Sequence, residues 1–368
     1  MEIKAAVVFE KSGSFSVEKV EISDPNDNEV LVRIVGAGIC HTDLAGRDLH
    51  LPIPPGRALP SVFGHEGSGV VEKVGSRVTK VKPGDHVVLT WSSCGTCTSC
   101  KAGKDPYCLN FFLHNFNGAR PDGTTTLRKG DQVIHGSFFS QSSFASFALA
   151  TERNVVKVRK DVPLEILGPL GCGVQTGAGA VMNTLQPKPG ASIAVFGVGP
   201  VGMSAVLAAI VCGCTTIIAV DINSDRLKAA KKFGATHTVN ASETDPVAAI
   251  LEITGGGAEF TLECVGNPKV LRQAVDALPL CGVCGLLGVV PPGTEVVLDM
   301  DRIMNGRMVR GIIEGDSIPD LFIPRLIELF SQGRFPFDRL IHFYPFEEIN
   351  KAVEDMEKGR VVKPVLRL

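Results

Sequence analysis

Residues 189–220, PGASIAVFGVGPVGMSAVLAAIVCGCTTIIAV, contain no charged side chain. A run of that length either crosses a bilayer or lies buried between the layers of a large domain. Its internal grammar favours burial. SIAVFG has the form of a short core strand, GVGPVG of a turn, MSAVLAAIVCG of an apolar helix stopped by glycine, and TIIAV of a second strand. The alternation continues downstream. SDRLKAAKKFG and DPVAAILEITGG have helical periodicity, whereas EFTLECVG, VCGLLGV and MVRGIIEG are strand-like. Strands alternating with amphipathic helices through right-handed crossovers build a parallel doubly wound sheet, so an α/β Rossmann domain is expected over residues 174–316.

Gly197, Gly199 and Gly202 have the G-x-G-x-x-G spacing, and here the motif follows a strand and opens a helix. Glycines at these points permit a tight turn and let a pyrophosphate approach the helix N-terminus. Asp221 ends the next strand, roughly 20 residues on, where a carboxylate accepts hydrogen bonds from ribose hydroxyls. Its charge repels a 2′-phosphate, which favours NAD over NADP.

Residues 1–173 differ in character. KAAVVF, EVLVRIVGAG, SGVVEKVG and DHVVLTW are short β-branched runs between Gly, Pro and Asp turns, and predict a mostly-β domain. Residues 317–368 carry two glycine-terminated helices and a strand, VVKPVLRL, expected to return to the first domain. Residues 117–131, NGARPDGTTTLRKGD, suggest an exposed loop. A net charge of −2 and the lack of a basic run leave no electrostatic footprint for nucleic acid or an anionic membrane. AAVVF is the only apolar run near the N-terminus, so no secretory leader is expected. Eleven cysteines in such a chain point to reduced thiols, metal ligation and the cytoplasm.

Cys94, Cys97, Cys100 and Cys108 stand at C-x2-C-x2-C-x7-C, a pattern suited to a closed tetrahedral zinc site pinning lobe 94–108. A nucleic-acid zinc ribbon would need a basic surround that is missing; an iron–sulfur cluster uses similar spacing. Cys40, His65 with Glu66, and Cys172 sit apart in glycine-rich segments. Each is either a small buried residue or part of a three-ligand zinc set with one open position. Cys212, Cys214, Cys264, Cys281 and Cys284 lie in apolar elements and are expected in the core.

GHEGSGVVEKVGSRV, the four-cysteine lobe, GCGVQTGAG and GVGPVG…VD occur in an order that resembles the zinc-dependent medium-chain alcohol dehydrogenases over essentially the whole chain. Within that family, CHTDL, SFFSQSSFASFA and LGPLGCGVQTGAGA look most like the bacterial aryl-alcohol (benzyl alcohol) and geraniol dehydrogenases. The resemblance implies a GroES-like catalytic domain from residues 1–173 and 317–368 beside the Rossmann domain, with the active site in the cleft between them. It implies two zinc ions per chain: a catalytic one on Cys40, His65 and Cys172, and a structural one on the four-cysteine lobe. Thr42 corresponds to the hydroxyl that takes the alcohol proton, Asp43 to the carboxylate orienting the histidine, and Glu66 to the acidic residue near the metal. His41 and Lys363 correspond to cations on the coenzyme pyrophosphate, and Arg226 to one beside the adenosine ribose.

Trp91 is a candidate pocket wall, with Phe112, Phe116 and Phe138 weaker ones, and such walls favour benzylic, cinnamyl or terpenoid primary alcohols over ethanol. Ala45 replaces the family's relay histidine, which leaves water, the nicotinamide ribose or His50 as proton exits. A glutathione-dependent formaldehyde dehydrogenase, with Arg120 gripping a carboxylate, is the alternative enzyme; an NAD-binding structural or sensor protein is the non-enzyme alternative. MVRGIIEG could pair with its own copy in a homodimer or homotetramer.

Overall fold

The computed structural model describes residues 1–54 and 56–368. They fall into two compact units, Met1–Cys172 with Ile318–Ser331 and Ile341–Leu368, and Gly173–Ser317 with Gln332–Leu340.

In the first unit a five-stranded and a seven-stranded sheet enclose the core. The strand Glu29–Gly38 is the hub of the larger sheet. It pairs antiparallel with Glu66–Val74, with Phe147–Thr151 and, at Gly36–Gly38, with the final strand Lys363–Arg367. Val30, Val32 and Ile34 from this hub are buried with Phe63 and Phe144 in one apolar cluster. The pairing threads the end of the chain beside the segments that carry Cys40 and His65.

Residues 117–131 depart from the expected exposed loop. Asn117, Ala119 and Arg120 are buried and Leu127–Lys129 is a strand, leaving the tip of the segment outside. The cause is an ion pair. Arg120 Nε and Nη2 donate to Glu29 Oε1 and Oε2 at 2.6 and 2.9 Å, and Nη2 also reaches Ser23 Oγ at 3.0 Å. Removing one partner of such a buried pair costs about 3–5 kcal/mol because the other charge is left stranded.

The second unit holds a six-stranded, wholly parallel sheet in the order His237–Asn240, Thr216–Asp221, Ser192–Phe196, Phe260–Glu263, Val283–Leu286, Met308–Gly311. Strand order reverses direction at Ser192–Phe196, the point where ligands bind in such sheets. The charge-free run is explained here: in the helix Pro200–Val211 every residue from Gly202 to Ala209 is buried. Among the described residues no helix is long and apolar enough to cross a membrane. Residues 332–340 pack with this unit through Phe335 and Phe337, both 0% exposed, and through Arg339 lying over the Phe233 ring at 5.2 Å. Cys284 and Cys214 are buried as expected, Cys212 and Cys264 half-buried, but Cys281 is exposed, on a turn with φ of +61° just before its strand.

Candidate active site

Cys40 caps the helix His41–Arg47, and the buried Asp43 one turn in ties two separate segments together. Asp43 Oδ2 accepts the Cys40 N–H at 2.9 Å. Oδ1 accepts the Gly64 N–H at 3.0 Å and faces His65 Nδ1 at 2.7 Å. A carboxylate accepts only, so Nδ1 carries the ring proton and Nε2 presents its lone pair. That Nε2 is buried and has no hydrogen bond.

Cys172 arrives through a loop that only glycine allows. A Cβ on Gly168 would lie 2.2 Å from the Glu66 carbonyl oxygen, and one on Gly171 would lie 2.1 Å from that of Leu89. The loop therefore packs backbone to backbone on the strands and carries Cys172 to Cys40. Ligand atoms of Cys40, His65, Glu66 and Cys172 all lie within 4.8 Å of one another. A hydrogen bond with the Cys172 thiol, helped by His65 and opposed by burial, holds the Cys40 thiol well below its ordinary range. Two thiols, one aimed imidazole lone pair and a carboxylate are a donor set that fits zinc.

Thr42 is half-buried with Oγ1 3.7 Å from Cys40 Sγ. His41, by contrast, is exposed at the helix start.

Cys94, Cys97, Cys100 and Cys108 form a second cluster. Their sulfurs approach to 3.9 Å (Cys94–Cys100), 3.5 Å (Cys97–Cys100) and 4.0 Å (Cys97–Cys108). Those distances bracket the edge of roughly 3.8 Å of a tetrahedron with sulfurs about 2.3 Å from its centre. Backbone N–H groups of Thr96 and Cys97 bring Cys94 down to about 5 against its burial, so a thiolate is favoured before any metal arrives. Arg153 braces the lobe by donating to Ser93 Oγ and Asp105 Oδ1, each at 2.7 Å.

In the second unit Gly197 has a φ of +85°, and a Cβ on Gly202 would lie 2.0 Å from its carbonyl oxygen. Gly199 faces open space, and no side chain caps the helix it begins. This is a cradle fitted to a pyrophosphate. Asp221, 8% exposed, accepts the Val198 and Asn223 N–H groups, each at 2.9 Å, which fixes its carboxylate at the strand end. Arg226 is half-buried on the helix that Asn223 caps.

Residues 26–160 match the alcohol dehydrogenase GroES-like domain, and residues 200–332 match the zinc-binding dehydrogenase family. Geraniol dehydrogenase of Castellaniella defragrans is 46% identical over 99% of this chain and 97% of its own. The chain is therefore a zinc-dependent alcohol dehydrogenase. Among solved structures, an alcohol dehydrogenase zinc-binding domain protein from Burkholderia ambifaria superposes with a TM-score of 0.97 at 53% identity, covering 100% of this chain and 99% of that one. Benzyl alcohol dehydrogenase from Acinetobacter calcoaceticus gives 0.96 at 48%, with the same coverage. Membership of this family brings zinc and NAD(H) in general.

Two further residues of this alcohol dehydrogenase have surroundings that the sequence did not show. Lys363, expected on a coenzyme phosphate, is 1% exposed; its Nζ donates to the Ile39 carbonyl at 3.0 Å and pairs with Glu66 Oε2 at 2.5 Å. Its charge is committed to that carboxylate. Burial pushes Glu66 up to about 7 while Lys363 pulls it back. Trp91, expected on a substrate wall, packs on Phe111 at 6.1 Å and lines a cleft of about 390 Å³ with Ser93, Asp105, Arg153 and Pro319, beside the four-cysteine lobe.

Of the other aromatic candidates, Phe138 and Phe116 do lie at the Cys40, His65 and Cys172 cluster, joined by Phe139 and Phe63. Phe139 stacks on the His65 ring at 4.4 Å and Phe138 meets it edge-on at 5.7 Å. Phe116 packs on both, and Phe63 packs on Phe138. Their loop is strained, with Ser137, Phe139, Ser140 and Ser142 all at φ of +51 to +58°. Each such residue costs about 1–3 kcal/mol unless its surroundings hold it. The serines and an amide do so. Ser142 Oγ donates to the Val62 carbonyl, Ser140 Oγ to that of His114, and Gln141 Nε2 to those of His65 and Thr90. Phe139 was missed because the sequence has no glycine where the backbone turns left-handed; the run of Ser and Gln around two phenylalanines is the signal that could have found it.

Proposed function

We propose that this enzyme reversibly oxidises a primary aromatic or allylic alcohol, benzyl alcohol-like or geraniol-like, to the aldehyde with hydride transfer to NAD. The aromatic cluster carries the proposal: Phe138 and Phe139 lie against His65, the imidazole of the catalytic donor set. Apolar surface buried there contributes roughly 25 cal/mol per Å², an advantage that ethanol cannot collect. The geraniol and benzyl alcohol dehydrogenases it resembles act on alcohols of this kind by their names.

Two zinc ions per chain are proposed, one on Cys40, His65 and Cys172 and one on Cys94, Cys97, Cys100 and Cys108. A zinc ion held by Cys40, His65 and Cys172 would supply positive charge to the alcohol oxygen and so acidify its hydroxyl. Thr42 Oγ1 takes the proton that leaves. Asp43 keeps the His65 lone pair aimed, and Lys363 holds Glu66 in place. Asp221 accepts the adenosine ribose hydroxyls and selects NAD. Eleven cysteines without a disulfide fit a reducing compartment such as the cytoplasm.

Initial rates test the substrate and the coenzyme together. Benzyl alcohol or geraniol should reduce NAD at least about tenfold more efficiently than ethanol does, and NADP should be poor with all three. Equal efficiency with ethanol would remove the aromatic-pocket argument. Glutathione should not accelerate formaldehyde oxidation, since the Nε–Nη2 edge of Arg120 is engaged by Glu29 and its Nη1 donates to the Thr125 carbonyl at 3.3 Å.

A homodimer or homotetramer is supported by the sheet edge. All four residues of Met308–Gly311 are exposed, and Met300 and Met304 nearby are 85% and 79% exposed. A lysine blunts such an edge. Met308→Lys should therefore shift the protein toward monomers in light scattering; an unchanged mass would place the interface elsewhere.

A further inference from the structure

Glu263 is a buried carboxylate that the chemistry above leaves unused. It ends the strand Phe260–Glu263, next to the point where strand order reverses, and is 0% exposed. Its Oε1 accepts the N–H groups of Val265, Gly266 and Asn267 at 2.9, 2.8 and 3.4 Å. Its main-chain oxygen accepts those of Leu287 and Gly288 at 2.9 and 3.1 Å. One residue thus fastens both loops that leave the sheet on this side of the switch.

Those loops touch through glycine. A Cβ on Gly288 would lie 2.0 Å from the Gly266 nitrogen and 2.5 Å from Glu263 Oε2, and one on Gly266 would lie 2.4 Å from the Val289 carbonyl oxygen. The contact continues to the pyrophosphate turn, where a Cβ on Gly197 would lie 2.6 Å from Val265 Cγ2. The result is a pair of apolar side chains held out at the edge of the sheet, Val265 at 52% and Val289 at 74% exposure. Burial raises the Glu263 carboxyl while the loop N–H groups pull it down, so the loops and the carboxylate hold each other.

We propose that Glu263 is a positioning residue for the nicotinamide half of the coenzyme, fixing the loops that present Val265 and Val289 to it. The proposal rests on the coenzyme assignment above. With the adenosine assigned to Asp221 and the pyrophosphate to Gly197–Gly199, the nicotinamide half falls on the strands across the switch. Glu263 touches no substrate in this scheme and acts only through the loops.

Calorimetric titration of the full chain with NADH and with AMP, which lacks the nicotinamide half, separates this role from a general structural one. Glu263→Ala should weaken NADH about tenfold or more while AMP binding stays within about twofold; Glu263→Gln, which keeps an acceptor for the loop N–H groups, should stay within about threefold for both. Val265→Ala, at an exposed position that folding does not depend on, should weaken NADH about threefold and leave AMP unchanged. Parallel loss of NADH and AMP in Glu263→Ala would show that the whole domain had loosened and would overturn the proposal. So would NADH affinity unchanged in Val265→Ala, the variant that decides if Glu263→Ala does not fold. A wild-type chain that binds neither ligand overturns the coenzyme assignment itself, and this inference with it.

Discussion

Cys172→Ala is expected to lower alcohol oxidation about a thousandfold or more while one zinc per chain remains. Cys172 closes a cluster whose other thiol and imidazole come from distant segments, and its thiol is what holds the Cys40 thiol low. Without it the set keeps one sulfur and one imidazole lone pair, since the Glu66 carboxylate is paired with Lys363, and these are too few to retain zinc against water. Charge at the alcohol oxygen is worth several kcal/mol, and about 4 kcal/mol is a factor of about a thousand in rate. The lobe draws no ligand from this cluster, so its metal should stay. Zinc by atomic absorption should fall from two per chain to one, with the melting temperature little changed because Cys172 is only half-buried. Full activity at one zinc would take catalysis away from this cluster. Loss of both ions would mean that the two sites are not independent.

The alternation of strands and helices in the second unit was legible because each element carries its own period. The strand Thr216–Asp221 is a continuous apolar run between its two end residues, and the helix Pro268–Asp276 keeps Leu271, Ala274 and Val275 on its buried face. The glycines around Cys172 were visible as a pattern, but their reason was not, since the carbonyl oxygens of Glu66 and Leu89 that forbid a side chain lie far away in the chain. The same holds for buried charge. Arg120 and Glu29, or Lys363 and Glu66, have the look of solvated residues until a sheet brings them together. Phe335 and Phe337 lie in a short irregular segment without a period to show which unit buries them. The left-handed residues at 137, 139, 140 and 142 break the local rule that reserves such angles for glycine. That break sits against His65, where strain is worth keeping.

Cys97→Ser should act on stability and spare the chemistry. Cys97 Sγ approaches both Cys100 and Cys108, so its loss removes one corner of the tetrahedron. The lobe has little else to hold it: Cys97 is half-buried, and only Cys100 and Cys108 of the four are buried. Structural zinc sites contribute about 10–16 kcal/mol of apparent binding energy in isolated peptides, and even a third of that is large beside a net domain stability of about 5–15 kcal/mol. A melting temperature lower by about 10 °C or more is therefore expected, with one zinc lost. The Arg153 contacts to Ser93 and Asp105 should localise the damage, since they anchor the lobe's base to the segment Glu152–Asn154. Rates measured well below the new melting temperature should stay within about threefold of wild type, because Cys40, His65 and Cys172 lie outside residues 94–108. Both cysteine variants thus lose one zinc per chain, and melting temperature and low-temperature rate tell them apart. A Cys97→Ser protein as inactive as Cys172→Ala at low temperature would show that the lobe shapes the catalytic cluster as well as stabilising the fold.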